Sequence, residues 1–473
     1  MPIDRNLKRR LCLYGGAALV VLLALTASRI VTWLAPSVKV ARWDLEVAKA
    51  DEGSRLLTEY LRIDTTNPPG RTVEAAAFWK RLFECEGLPF TVTGDDPERP
   101  IFVGRLLGKS HAGALLLLHH MDVHPPDDLN AWTVPPFEGR MGTNRDAFYL
   151  YGRGAIDMKN IGISHFLAIA ALRREGIVPE RDLVFVAEPG EETFTPEAGI
   201  GWLLAKRPKL LDGVTDVFTE GGVNEVMTAD IDRFGIEILQ KANLGVTAGS
   251  HRKEPLDAFK AFVEEKDRSL PFRLLPEVVE FLQFIGPSRG DVWGRLVLNP
   301  KRFFGDEPLL KSMPDVYRSL LRDSLYADVV KPTKDGGFEL EVVWTLLPGG
   351  SVKAARAEME RWASERGLTL KVRFATDDSV VSPRTGPAWD ALIRSLELDP
   401  VRGDVGIYIL TASYTSSSYL RARGYRSYGV STFAINVFDA AHAHHPDERI
   451  HLPLFVEGVE RMKRIVREFA TSP

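Results

Sequence analysis

The stretch Leu115, Leu116, Leu117, Leu118, His119, His120, Met121, Asp122 constrains the fold more than any other. Four consecutive leucines leave no polar face, so they read as a strand buried on both sides. Glycine or serine would suffice to end such a strand, yet this one ends on two imidazoles and a carboxylate. Nitrogen and oxygen donors side by side at a strand end suit a metal site. A helix cap or a hydrogen-bonded buried histidine is the structural alternative.

Two further apolar runs, 183–187 and 214–218, repeat the pattern. Glu188, Glu191 and Glu192 follow the first; Glu220, Gly221 and Gly222 follow the second. The segment 160–174 has helical periodicity and stops at Gly176, a C-cap. Apolar runs alternating with helices predict an α/β fold, a parallel sheet covered on both faces, with ligands collected at the carboxyl ends of the strands. The middle of the chain differs. Phe338, Leu340, Val342 and Trp344 alternate with Glu339, Glu341 and Val343, and Leu368, Leu370, Val372 and Phe374 alternate likewise, as one-sided strands do. Helices are expected over 276–284 and 352–366, the second ended by Gly367. This α+β pattern is read as an insertion at 236–375 between two α/β portions, 45–235 and 376–473.

The N-terminus carries an address. Arg5, Lys8, Arg9 and Arg10 precede an uncharged apolar stretch, 11–27, followed by Arg29, Trp33 and Pro36. That core is long for a cleaved signal peptide and short for a span of about 20 residues. Snorkelling by Arg29, with Trp33 as an interfacial anchor, completes a span. Residues 1–36 are therefore read as an uncleaved transmembrane signal anchor, with a cleaved signal and a secreted or periplasmic product as the alternative. Both put the body outside the cytoplasm. The 60 Lys and Arg against 64 Asp and Glu leave a net charge of −4, which argues against a nucleic-acid partner. Of two cysteines, Cys12 lies in the apolar run, so no disulfide framework is expected with Cys85.

The chemistry-bearing residues form a series. His120 is followed by Asp157 in YGRGAIDMKN, Glu191 and Glu192 in AEPGEET, Glu220 in FTEGG, and His442, His444 and His445 in AHAHHPDERI. Singly, each has a structural explanation: a turn, a solvated acid pair, a helix cap, a terminal cluster. Together they place several acids in one cleft, where mutual repulsion is removed by divalent cations. Nitrogen and carboxylate donors without a thiolate suit Zn²⁺, with Mn²⁺ and Co²⁺ as alternatives.

These segments, with HMDVHPP, Trp132 and PPFEGR, resemble the co-catalytic dinuclear zinc peptidases, a family that includes aminoacylase, carboxypeptidase S, glutamate carboxypeptidase and succinyl-diaminopimelate desuccinylase. The resemblance spans roughly residues 50 to 470. It implies a catalytic domain with a mixed, mostly parallel sheet between helices, an inserted α+β lid through which many relatives dimerise, and two Zn²⁺ per chain. It implies that His120 and Glu220 hold one metal, Glu192 and His444 the other, and that Asp157 bridges them, followed by a cis peptide. Thr219 stands where some relatives use an aspartate, so Glu220 is taken as the ligand. Asp122 would orient His120, and Glu191 would be the general base. The implied reaction is hydrolysis of an amide in a small peptide or an N-acyl amino acid. A reversible N-acyl amino acid synthase and a catalytically weak, metal-bound binding protein are the alternatives.

The lid departs from the family pattern. In GVTAGSHRKEP, His251 reads as a surface histidine, with a displaced oxyanion-binding role as the alternative. Thr345 in WTLLPGG stands where relatives carry an arginine that grips the substrate carboxylate, and threonine cannot replace its bidentate fork. Asp328 and the triplet Thr415, Ser416, Ser417 replace asparagine and Thr-Asp-Ser. A substrate without a free α-carboxylate is the expectation that follows. His119 and His165 read as core residues, His124 as lining the cleft, and Arg153 as a brace for its loop.

Overall fold

The computed structural model describes residues 45–472 apart from 145–146, 227–231, 290–291, 400–403, 411–413 and 436. The anchor read at 1–36 lies outside the described residues; among those described, no helix is long and apolar enough to cross a membrane.

The first strands are β1 (Phe90–Thr93), β2 (Ile101–Leu106), β3 (Ser110–His120), β4 (Arg140–Asn144), β5 (Ala147–Tyr151), β6 (Arg181–Glu188), β7 (Val214–Thr219), β8 (Val223–Val226) and β9 (Asp232–Gln240). Then come β10 (Ala242–Ser250), β11 (Ser324–Ala327), β12 (Lys331–Pro332), β13 (Phe338–Leu346) and β14 (Thr369–Ala375). The last are β15 (Asp404–Leu410), β16 (Arg426–Gly429), β17 (Ala434–Ile435) and β18 (Arg449–His451).

Ten strands form the principal sheet in the order β1-β2-β6-β3-β7-β16-β9-β8-β17, with β15 beside β9. Its centre is parallel, β3 pairing with β6 and β7, and β7 with β16. One edge, β1 and β2, is antiparallel. The fold is α/β with a mixed sheet. Leu115 and Leu117 join one core cluster and Leu116 and Leu118 another, all fully buried. Alternate side chains point to opposite faces, so both faces of β3 are covered along 115–118. On the first face lie helices Lys159–Arg174 and Leu452–Thr471; Ile200–Lys206 and Ser416–Arg421 contribute to the second. The helix read from 160 to 174 starts one residue earlier, and Gly176 sits just past its end at φ 71.

The second sheet has five strands, β11-β13-β10-β14 with β12 beside β13. Leu340, Val342, Trp344 and Leu346 are buried on one side of β13, against Leu256, Phe259 and Val263 of helix Lys253–Ser269 and Met359 and Trp362 of helix Val352–Ser364. β9 belongs to the principal sheet, and the chain leaves that sheet only at Lys241. Helix Pro276–Arg289 also returns to the main body, where Val278, Phe281, Leu282 and Ile285 join the first core. The second sheet is thus built from two stretches separated by helices that pack into the first core. A third sheet, β18-β5-β4, is antiparallel and was not foreseen; β5 leads straight into the GRG loop.

Register places the site. His120 pairs with Glu188, and Leu117 with Phe218, so β3, β6 and β7 finish nearly level. Helix Lys159–Arg174 packs closely on β3 because Gly162 has no side chain: a Cβ there would lie 2.5 Å from His119 Cδ2. Gly162→Ala is expected to destabilise the protein by roughly 1–3 kcal/mol through overpacking, read as a shift in the denaturant midpoint. An unchanged midpoint would show that the helix has room to retreat.

Candidate metal centre

Each residue of the series reaches the carboxyl edge of the sheet by a short route. His120 is the last residue of β3, and Glu220 directly follows β7. Glu191 and Glu192 lie in the loop after β6. Asp157 ends the loop before helix Lys159–Arg174, and the Asp157–Met158 peptide is cis. His444, at φ 63, lies in the tail before β18.

The ligand atoms of His120, Asp157 and Glu220 lie within 4.8 Å of one another, as do those of Asp157, Glu192 and His444. Asp157 belongs to both groups. Its Oδ1 is 3.0 Å from His120 Nε2 and its Oδ2 3.0 Å from His444 Nε2. His120 Nδ1 donates to the Asp122 carbonyl at 2.7 Å. A carbonyl only accepts, so a neutral His120 turns its Nε2 lone pair toward Asp157, Glu220 at 3.6 Å and Glu191 at 3.8 Å. His444 Nε2 is buried, 3.3 Å from Glu192 Oε2, without a partner in hydrogen-bond alignment. Lone pairs and anionic oxygens aimed at common points repel unless protons or cations lie between them. Two nitrogens and three carboxylates without a thiolate fit a pair of divalent ions.

The surrounding layer holds these groups still. Asp122 was expected to orient His120, and its main-chain carbonyl does so, while the carboxylate stands 3.7 Å from the ring. That carboxylate instead accepts from the main-chain N–H groups of Glu191 at 3.4 Å and Glu192 at 3.2 Å, and from Asn67 Nδ2 at 2.7 Å. Buried Glu448 accepts N–H bonds from Gly154, Ile156 and Asp157 and pairs with buried Arg153 at 2.6 Å, so Arg153 braces the loop. Asn67 and Glu448 escaped the sequence reading. Glu448 stood in the HHPDE segment, whereas nothing in TNPPG marks Asn67. His124 donates its N–H to Glu192 at 2.9 Å and stacks on His444 at 4.6 Å. His119 and His165 are buried in the core, His442 bonds the Pro446 carbonyl, and His445 is exposed.

With protein groups alone, protons balance the cluster. Burial opposes charge on His444, but Asp157 and Glu192 outweigh it and lift the imidazole to about 10. Burial likewise opposes charge on His120, and Glu220 and Asp157 hold it well above its ordinary value. Burial, then the Asp157 carboxylate, pushes Glu220 up to about 7; burial and Glu220 push Glu191 well above the usual carboxylate range. Ligation requires those protons to leave. The sign follows: Zn²⁺ affinity falls as pH drops from about 8 to about 6, and loading about two ions per chain releases protons. Calorimetry in buffers of different ionisation enthalpy, with metal analysis, checks this. A pH-independent affinity would remove the imidazole and carboxylate groups as ligands.

A cavity of about 610 Å³ opens on the cluster. Asp157, Glu191, Glu192, Glu220 and His444 line it together with Phe194, Tyr408, Leu410, Tyr414 and Ile435. The lid meets this site where Phe374 of β14 stacks on Phe194 at 4.4 Å. Among the described residues, no lysine or arginine lines the cavity. Thr345 receives Lys241 Nζ at 3.3 Å within the lid. Exposed His251 lines a separate groove on the lid sheet, with Arg252 and Lys371. Ser416 donates to Glu188 at 2.6 Å, and Thr415 caps the helix that follows it.

The fold and this constellation define a class of metal-dependent hydrolases. Residues 116–468 match the model of peptidase family M20/M25/M40, and the chain belongs to that family. It is 25% identical to human aminoacylase-1 over 440 residues, covering 88% of this chain and 95% of the relative. Among solved structures, an M20 family metallo-carboxypeptidase from Sulfolobus solfataricus superposes with a TM-score of 0.68 at 16% identity, over 89% of this chain and 100% of that one. Human carnosine dipeptidase 1 superposes with a TM-score of 0.66 at 15% identity, over 90% and 98%. The resemblance read from HMDVHPP, GRGAIDMKN, PGEET and FTEGG is thereby established as family membership, and the protein is a hydrolase.

Proposed function

We propose that the protein hydrolyses an amide bond in a small peptide or N-acyl amino acid, with Glu191 as general base. The observation that carries this reading is a division of labour among the acids. Asp157 is shared by two potential ligand groups, while Glu191 faces His120 at 3.8 Å and belongs to neither. Two divalent ions, Zn²⁺ by the donor set with Co²⁺ or Mn²⁺ as alternatives, would polarise the scissile carbonyl and acidify the attacking water.

His120, Asp157, Glu192, Glu220 and His444 would hold those ions. Glu191 takes the proton from the attacking water and delivers it to the leaving nitrogen, so that a carboxylic acid and an amine depart. Asp122 acts through its neighbours: its carbonyl fixes the His120 ring, and its carboxylate fixes the backbone that carries Glu191 and Glu192. Running the reaction backwards as a synthase needs the same groups. A metal-loaded binding protein would have no use for a base at the position of Glu191.

Glu191→Gln is expected to lower kcat by about 10²–10⁴-fold on an N-acyl amino acid panel while metal content stays at the wild-type level. An unchanged rate would show the mechanism to be wrong.

The cavity also bears on the substrate. The rest of its lining is largely aromatic and aliphatic, without a described ammonium or guanidinium to receive a carboxylate. We infer a substrate whose recognition does not depend on a free α-carboxylate. Paired substrates, an N-acyl amino acid and its C-terminal carboxamide, test this. The carboxamide is expected to match or exceed the acid in kcat/KM. A preference for the acid by about tenfold, worth ~1.4 kcal/mol, would contradict the substrate reading and leave the hydrolase reading intact.

A further inference from the structure

Tyr414 lies four residues beyond the end of β15, 8% exposed, in the wall of the metal-centre cavity. Its phenol oxygen is buried and has no hydrogen-bond partner among the described residues. The packing around it explains why. The Phe194 ring lies 5.0 Å from the Tyr414 ring, and Phe194 stacks in turn on Phe374 of the lid. These rings offer the phenol no acceptor. A buried hydroxyl left unpaired destabilises a fold, whereas phenylalanine would fill the same volume without that penalty. An unpaired donor at the wall of a ligand cavity points to a partner that arrives with the ligand.

Among the described residues, neither lid position singled out in the sequence is placed to meet the charge that amide hydrolysis creates. His251, the sequence's candidate for that task, is exposed on another groove, and Thr345 is bonded to Ser324 and Lys241 inside the lid. Burial, and after it the Glu191 carboxylate, holds the Tyr414 phenol well above its ordinary value. The phenol therefore keeps its proton at any working pH and can only donate toward an anion. Among the charges felt by Tyr414, Glu191 weighs most, ahead of Glu188, Glu197 and Asp377.

Building on the hydrolytic reading above, we propose that Tyr414 donates its phenolic hydrogen bond to the oxyanion that forms on the scissile carbonyl. The step balances without an outside reagent. The water oxygen bonds to the carbonyl carbon, the carbonyl π pair moves to oxygen, and Glu191 takes the water's proton. Tyr414 donates a hydrogen bond to that oxygen and keeps its own proton. On collapse the carbonyl reforms, the C–N bond breaks, and the nitrogen leaves with the proton from Glu191. A preorganised donor of this kind acts where charge develops in the transition state, so it changes kcat more than KM.

Tyr414→Phe removes one oxygen and keeps the ring. The expected result is a fall in kcat of about 10²-fold, the scale of losing one oxyanion donor, with KM within about threefold. Binding of a phosphinate that mimics the tetrahedral state should weaken by a similar factor, while binding of the acid product and metal content stay at wild-type values and Tm is equal to or above that of the wild type. Unchanged kcat and unchanged phosphinate affinity would overturn the proposal and leave the phenol to an ordered water. Equal losses in phosphinate and product affinity would also overturn it, showing that the phenol only shapes the cavity. A wild type inert toward every amide tested overturns the hydrolase reading itself, and this inference falls with it.

Discussion

One aspartate sets the terms for the rest of the molecule. Asp157 stands 3.0 Å from an imidazole nitrogen on either side, and three further carboxylates face the same small volume. Such a concentration of like charge in a buried place is strongly unfavourable unless cations occupy it. The sheet explains how the groups are brought together. Parallel strands that finish level release their next residues at one edge, so His120, Glu191, Glu192 and Glu220 arrive from three strands without long loops. Asp157 and His444 come from outside the sheet and need separate support.

That support is itself ionic and buried. Glu448 gathers three main-chain N–H groups around Asp157 and neutralises Arg153, a residue with 1% of its surface exposed. Removing one partner of such a pair strands the other charge, at a cost of about 3–5 kcal/mol. Arg153 and Glu448 lie far apart in sequence, so the pair also ties the carboxyl-terminal tail, and with it His444, to the loop that carries Asp157. Asp122 plays the matching part for the other acids, through Asn67 and the 191–192 backbone. Ligand geometry is thus set by hydrogen bonds one layer out, as is common for metal ligands.

Much of this was legible in the sequence because burial leaves a pattern. A run without polar residues, 115–118, announces a strand covered on both faces, and the alternation around Val342 and Trp344 announces one face only. Gly176 and Gly367, both at positive φ, mark where two helices stop. The strand ends were visible for the same reason, and with them most of the acids. What stayed hidden depended on pairing between distant segments. β4, β5 and β18 are short, and nothing local says that Arg449 lies opposite Tyr151. Helix Pro276–Arg289 was expected, but its apolar residues do not name the core they will join, and Val278, Phe281, Leu282 and Ile285 join the first core rather than that of the second sheet. Asp122 was singled out as a supporting residue, yet that its main-chain oxygen at 2.7 Å, and not its carboxylate at 3.7 Å, faces the His120 ring is something no residue pattern encodes.

The catalytic body and the lid make different demands on substitution. The groups that could hold metal must place particular atoms at particular points, and any loss there leaves charge uncompensated. The lid's share is recognition, which can be met by different means. Where relatives present a guanidinium, this lid has Thr345, and the nearest cationic group bonded to it, Lys241, is 1% exposed and held down to about 8 by burial. An ammonium so placed is tied to hydroxyls of Ser324 and Thr345 inside the lid. The lid meets the body instead through rings, Phe374 on Phe194 and Phe194 on Tyr414. Aromatic contact supplies area and shape but little orientation of charge.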